Sequence, residues 1–167
     1  MSQRDQDAVD QILQQWSRER PDLDVTPMGL IGRIGRLRAH ISRAHDTVFQ
    51  RHGLNSASFD LLATLRRSGP PFQLTPSDLL ETMMITSGTM TNRIDQLEKQ
   101  GLVERLPHPE DRRALLVALT EKGRVVIDAA VTEHVENQHH LVEPLTLEER
   151  TVLDELLKKY LTAFETP

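Results

Sequence analysis

Apolar side chains recur at helical spacing along almost the whole chain, and bunch into short runs in one place only. Val9, Ile12, Leu13 and Trp16 share one stripe, which predicts a helix over about residues 3–18 that Pro21 ends. Leu30, Ile31, Ile34, Leu37, Ile41, Ala44, Val48 and Phe49 predict a long helix over 27–52, closed by Gly53. Phe59, Leu62, Ala63 and Leu65 predict another, with Ser56 as its cap and Ser68-Gly69-Pro70-Pro71 as its end. Beyond Thr120, a helix to about residue 141 is broken by Pro144. Thr146 with Glu149 then opens a last helix bearing Val152, Leu153, Leu156, Leu157, Tyr160, Leu161 and Phe164.

The middle of the chain is more specific. Thr75, Pro76 and Asp78 read as the cap and first turn of a short helix over 76–83. After a turn at 84–86, a second helix runs to about residue 100 and ends at Gly101. Two helices joined by so short a turn form a helix-turn-helix. Met90, Ile94 and Leu97 make the buried stripe of the second. Ser87, Thr89, Thr91, Asn92, Arg93 and Gln96 are left outside. A solvated helix face usually carries Glu and Lys; short hydrogen-bonding groups with an arginine suit base edges and phosphate oxygens. Next come two apolar runs, 102–106 and 114–119, joined by Pro107-His108-Pro109-Glu110-Asp111-Arg112-Arg113. They read as a β-hairpin with a charged tip. The fold class expected is mostly α with a small β wing, a winged helix-turn-helix. A tip arginine suits a narrow, electronegative minor groove.

Charge and composition sharpen this. The 167 residues carry a net charge of −5, which alone argues against blanket nucleic-acid binding. The distribution matters more: residues 29–52 hold five basic groups against one acid, whereas 125–167 hold three against nine. The acid lies toward the ends, which leaves room for a DNA-binding face in the middle. Cysteine is absent, which removes disulfides, thiolate metal sites and thiol redox chemistry. Aromatic content is 4%, too low for a base-stacking platform. No apolar run approaches the roughly 20 residues of a membrane span, and the first residues lack the order of a signal peptide, so a cytoplasmic location is expected. No Gly-rich phosphate loop or His-Glu-x-x-His motif points to an enzyme.

With the hairpin in place, the chain resembles the MarR family of bacterial transcription regulators from about residue 28 to 164. The resemblance rests on Asp111-x-Arg113 running into Val117-Ala118-Leu119-Thr120, and on the junction Leu97-Glu98-Lys99-Gln100-Gly101-Leu102-Val103-Glu104-Arg105. It implies a homodimer with interlocked terminal helices and two winged lobes reading a pseudo-palindromic operator. Residues 1–20 would be an extra helix, 27–53 and 121–167 dimerisation helices, and 54–120 the DNA-binding lobe. Ser87, Thr89, Thr91, Asn92, Arg93 and Gln96 would read the major groove, and Asp111, Arg112 and Arg113 would form the wing contact. Independently, the apolar stripes at Val9–Trp16 and Leu153–Phe164 exceed what one small lobe can cover.

A narrower resemblance is to the urate-responsive branch of that family, carried by Trp16, Asp60, Arg67 and Arg105. It implies a repressor released from DNA by a small aromatic anion, urate or a related purine, with these four residues at the ligand. Asp60 and Arg67, seven apart, share a helix face. Asp60 has the wrong sign to attract an anion and is expected to act as the switch, paired with an arginine until the ligand competes for it. Bland readings stand beside this one. Trp16 suits a core, Asp60 and Arg67 suit helix-dipole partners, and Arg105 suits a strand residue paired with Glu104 or Glu110. Glu136 and His140, one turn apart, have metal-ligand spacing, but His134 and His139 do not share a face, and no metal or other cofactor is expected. Other functions compatible with the chain are a regulator answering a phenolic acid and a DNA-binding protein that answers no ligand.

Overall fold

The computed structural model describes residues 6–83, 87–110 and 114–165, with the side chains of 87–89 left out. The chain divides into two compact units, residues 1–44 and 45–167.

The first unit contains α1 (Ala8–Glu19) and most of α2 (Thr26–Arg51). Asp7 caps α1: its carboxylate accepts from the backbone N–H groups of Val9 and Asp10, and Asp10 returns the bond to the Asp7 N–H. Part of the stretch expected to be helical, residues 3–5, lies outside the described residues. Val9 is buried, whereas Ile12 and Trp16 are 45% and 43% exposed. Glycine lets α1 approach α2 closely. A Cβ on Gly29 would stand 3.2 Å from the Leu13 side chain, and one on Gly32 would stand 3.3 Å from Val9. Arg33 closes this contact with bonds of 2.8 Å to Asp7 and 2.6 Å to Asp10. The Arg33 hydrogen bond, with backbone N–H groups, holds the Asp7 carboxyl down at about 2.

The second unit is the lobe. It comprises the end of α2, then α3 (Ser56–Arg67), β1 (Gln73–Leu74), α4 (Pro76–Met83), α5 (Ser87–Lys99), β2 (Val103–Pro107), β3 (Leu115–Leu119), α6 (Glu121–Val142) and α7 (Leu147–Glu165). Its core joins Leu61, Leu62, Leu65, Leu79, Met90, Ile94 and Leu97 to Val103, Val117 and Ile127, all nearly or fully buried. Val48 and Phe49 of α2 and Ile127 and Ala130 of α6 belong to the same core, so segments expected to serve dimerisation also close the lobe.

Caps set most boundaries as the sequence predicts. Thr75 and Asp78 exchange bonds at the start of α4, Thr120 accepts from the Gly123 N–H at α6, and Thr146 and Glu149 form the box at α7. Gly53 and Gly101 adopt φ of +68°, the left-handed conformation that ends α2 and α5. One cap differs. Asn55, not Ser56, caps α3, accepting from the Ser58 N–H, while the Ser56 hydroxyl donates to Asp46 at 2.8 Å.

The two expected strands pair antiparallel, Val103 opposite Leu119 and Pro107 opposite Leu115. The sheet has a third strand that the sequence pattern did not reveal. Gln73 and Leu74 pair with Ala118 and Val117, giving the order β1-β3-β2. Phe72, at φ 59°, turns the chain into β1, and its carbonyl accepts from the Leu119 N–H. The Arg66 guanidinium lies 4.9 Å from the Phe72 ring centroid and bonds Asp128 of α6 at 2.6 Å. No helix among the described residues is long and apolar enough to cross a membrane.

Candidate DNA-reading face and ligand site

α4 and α5 are the two helices of the helix-turn-helix. Their turn, residues 84–86, lies outside the described residues. On α5, Met90, Ile94 and Leu97 face the core with at most 2% exposure, and Thr91, Asn92 and Gln96 are exposed. Those three occupy the outer face that the periodicity predicts. Arg93 does not: it is half-buried on the flank of the helix. Ser87 and Thr89 lie on α5 but their side chains are not described. Asp111, Arg112 and Arg113, between β2 and β3 in the sequence, lie outside the described residues.

Arg105 projects from β2 to α5. Its guanidinium donates to Asp95 through one terminal nitrogen and to Glu98 through the other. The hydrogen bond to Asp95, then the charges of both acids, raise its pKa above the ordinary arginine value. Neither Glu104 nor Glu110, the partners its position in sequence suggested, holds it. Its charge is already matched by two carboxylates of the helix-turn-helix.

Asp60 stands on α3, whose next turn buries Leu61, Leu62 and Leu65 completely. Neighbouring groups crowd the carboxyl and strip part of its water, raising its pKa. Opposing this are the positive charges of Arg93 first, then Arg67, His134 and His45. Asp60 lies within reach of the charges of Arg67 and of Arg93, which sequence reasoning had assigned to DNA alone, but among the described residues its carboxylate forms no ion pair, so the bonded arginine partner expected for it is not seen. The signal for Arg93 was present in the helix geometry. It lies three residues after buried Met90 and four before buried Leu97, which puts it on the flank of α5, not opposite the core. Trp16 belongs to the first unit, where its indole is exposed, not packed in a core.

His134 is held in an aromatic group. Its ring centroid is 4.5 Å from His45, 4.9 Å from Phe59 and 5.3 Å from Phe49, and Phe49 stacks on Phe59 at 4.1 Å. Burial, then the charge of His45, depresses the His134 pKa. His140 is exposed and lies 3.7 Å from Glu143, outside this group.

A helix-turn-helix followed by a β wing, with hydrogen-bonding groups on the outer face of its second helix, defines a winged-helix DNA-binding protein. Comparison with known proteins places it further. The description "MarR family" matches residues 54–115. The chain is 45% identical over 149 residues to the HTH-type transcriptional regulator PecS of Dickeya dadantii, covering 89% of this chain and 90% of that one. It is 30% identical to the multiple antibiotic resistance protein MarR of Escherichia coli, covering 77% and 90%. A crystal structure of a mutant E. coli MarR complexed with operator DNA superposes with a TM-score of 0.70, at 29% identity, over 82% of this chain and 95% of that one. The chain belongs to the MarR family. It is a DNA-binding transcriptional regulator and not an enzyme.

Proposed function

We propose that this regulator is a cytoplasmic, homodimeric repressor released from a pseudo-palindromic operator by a small aromatic anion, urate or a related purine. The observation that carries the reading is the placement of Asp60. This carboxylate on α3 lies within reach of the charges of two guanidinium groups, Arg67 at the end of α3 and Arg93 on the flank of α5, without an ion pair to either. An anion arriving there gains two cations and competes with Asp60 for them. Because Arg93 sits on the same helix as Thr91, Asn92 and Gln96, a change at Asp60 is transmitted to the DNA-reading face through one rigid element. The resemblance adds Trp16, whose exposed indole offers a stacking face and an N–H. It also adds Arg105, which reaches a ligand only by leaving Asp95 and Glu98. On DNA, Thr91, Asn92 and Gln96, with Ser87 and Thr89, would read the major groove, Arg93 would reach it only from the flank of α5, and Asp111, Arg112 and Arg113 would carry the wing into the minor groove.

Dimerisation is supported by α7, which buries none of its own residues in the chain. Leu156, Leu161 and Phe164 are 59%, 54% and 71% exposed. So continuous an apolar face fits a second copy.

Release requires that the ligand bind the DNA-free conformation more tightly than the bound one. A coupling of about 1–3 kcal/mol weakens operator binding roughly 5- to 150-fold. The test is fluorescence polarisation on the DNA upstream of the protein's own gene, without ligand and with urate, xanthine or salicylate. Release by the purines is expected, with Arg67→Ala keeping operator affinity and losing the response. Release by salicylate alone moves the ligand to phenolic acids. No response to any of the three refutes ligand control by this class of anion.

A further inference from the structure

We infer that Arg105 serves operator binding without touching DNA, by masking the carboxylates of Asp95 and Glu98 on the DNA-reading helix. The inference rests on the reading that α5 lies in the DNA groove.

On α5, Asp95 lies three residues after Asn92 and four after Thr91, so its carboxylate occupies the helix surface next to two candidate DNA contacts. Glu98 follows three residues later, on the side toward β2. The side chains of Asp95 and Glu98 are 45% and 39% exposed. Left alone, both would carry a full negative charge within one Debye length, roughly 8–10 Å, of approaching phosphates. The ion pairs that Asp95 and Glu98 form among the described residues are with neither cation of the same helix, Arg93 or Lys99. The compensation of Asp95 and Glu98 comes from β2. One guanidinium spans both acids, because its donors form a planar fork that a lysine ammonium does not have. Arg105 is the least exposed of the three, at 27%, and reaches the acids from β2. It is a positioning and screening residue for DNA binding.

The alternatives make different predictions. If Arg105 is only a mechanical tie between β2 and α5, breaking the pair from either end weakens operator binding. If it touches phosphate, its removal costs the same whatever stands at 95 and 98. If it is a mask, the acids are what harm binding once it is gone. Operator affinity is to be measured at fixed salt for wild type, Arg105→Ala, Arg105→Gln, Asp95→Asn/Glu98→Gln, and the triple variant with Arg105→Ala. Folding is checked by circular dichroism. Arg105→Ala and Arg105→Gln are expected to lose about tenfold in affinity, a typical consequence of an uncompensated charge facing a like-charged partner. The double variant is expected to bind at least as tightly as wild type, and the triple variant within about threefold of it. A double variant that binds as poorly as Arg105→Ala, or a triple variant that gains nothing over it, overturns the mask. An unaltered affinity for Arg105→Ala overturns it as well. Asn92→Ala separates the two readings: if it binds normally, the placement of α5 on DNA is wrong. If it binds weakly while Arg105→Ala does not, only the mask is wrong.

Discussion

Two glycines within helices are expected to respond to the same substitution with opposite sign. Gly123 sits in the first turn of α6, pressed against the link between α5 and β2. A Cβ built there falls 1.9 Å from the Leu102 carbonyl oxygen and 2.9 Å from its carbon, and both are backbone atoms that no rotamer change moves aside. Separations under 3.0 Å are essentially never seen, so α6 must retreat by more than 1 Å. That retreat breaks the 3.2 Å bond from the Thr120 N–H to the Leu102 carbonyl and strains the bonds of Thr120 to Gly101 and Lys122 to Gln100, each 2.7 Å. Overpacking costs about 1–3 kcal/mol and a lost hydrogen bond about 1. The better helix propensity of alanine offsets roughly 1. Gly123→Ala is therefore expected to destabilise by about 1–3 kcal/mol, lowering Tm by roughly 3–10 °C for a chain of this size. Gly35 lies within α2 and its Cβ would meet nothing within 4 Å. Gly35→Ala is expected to gain about 0.5–1 kcal/mol and to raise Tm by roughly 1–4 °C. Urea unfolding at one fixed protein concentration, needed because the stability of the proposed dimer would depend on concentration, reads both variants. A Gly123→Ala protein as stable as wild type refutes the placement of α6 on Leu102.

Three further outcomes are expected. Asp60→Asn raises stability at pH 7 by about 0.2–1 kcal/mol, a small value because the carboxylate remains open to solvent. Its folded pKa lies above the unfolded 3.8, so the penalty is absent below that pH and present above the folded pKa; the gain in Tm must vanish near pH 4. For His134, folding favours the neutral ring, so its contribution is complete above about pH 6.5 and falls away as pH drops toward its depressed folded pKa. Thermal melts from pH 8 to 5 are expected to decline less steeply for His134→Gln than for wild type, and parallel curves count against this assignment. Deleting the residues after Leu147 removes α7 and, on the dimer proposal, leaves uncovered the apolar surface that it would cover on the second copy. Size-exclusion chromatography is expected to show aggregate, and a stable, soluble monomer defeats the dimer proposal.

What the amino-acid pattern disclosed was what local physics decides. α4, α6 and α7 begin at Thr75, Thr120 and Thr146 because a threonine hydroxyl satisfies a free N–H within three residues, a relation visible in sequence. β1 was invisible because two residues carry no periodicity, and its pairing to Ala118 and Val117 spans more than forty positions. Asn55 displaced Ser56 as a cap because the Ser56 hydroxyl found Asp46, a partner on a different helix. The same limit governed the candidate site. That Asp60 and Arg67 share a side of α3 was legible because one helix relates them. That Arg93 lies within reach of the Asp60 charge, and that Arg105 spans Asp95 and Glu98, depends on how α5 packs between α3 and β2.

A chain of net charge −5 binds a polyanion only by managing where its acids are. Part of the management is segregation: residues 125–167 hold nine of the twenty-five acids. Another part is pairing inside the lobe, which also reaches some of those nine. Asp128 is engaged by Arg66 and Arg124, Glu121 by Arg124, and Glu133 by Arg51 and His52. Such exposed pairs add little to stability, typically 0–1 kcal/mol each. Their larger effect is on the field outside the lobe, since each acid that has a guanidinium beside it projects a dipole instead of a charge. Asp60 differs from these acids: among the described residues it forms no ion pair, and it has only the more distant charges of Arg93 and Arg67. On the proposed reading, an acid left without a bonded partner, within reach of a cation on the DNA-reading helix, is the place where a second anion acts.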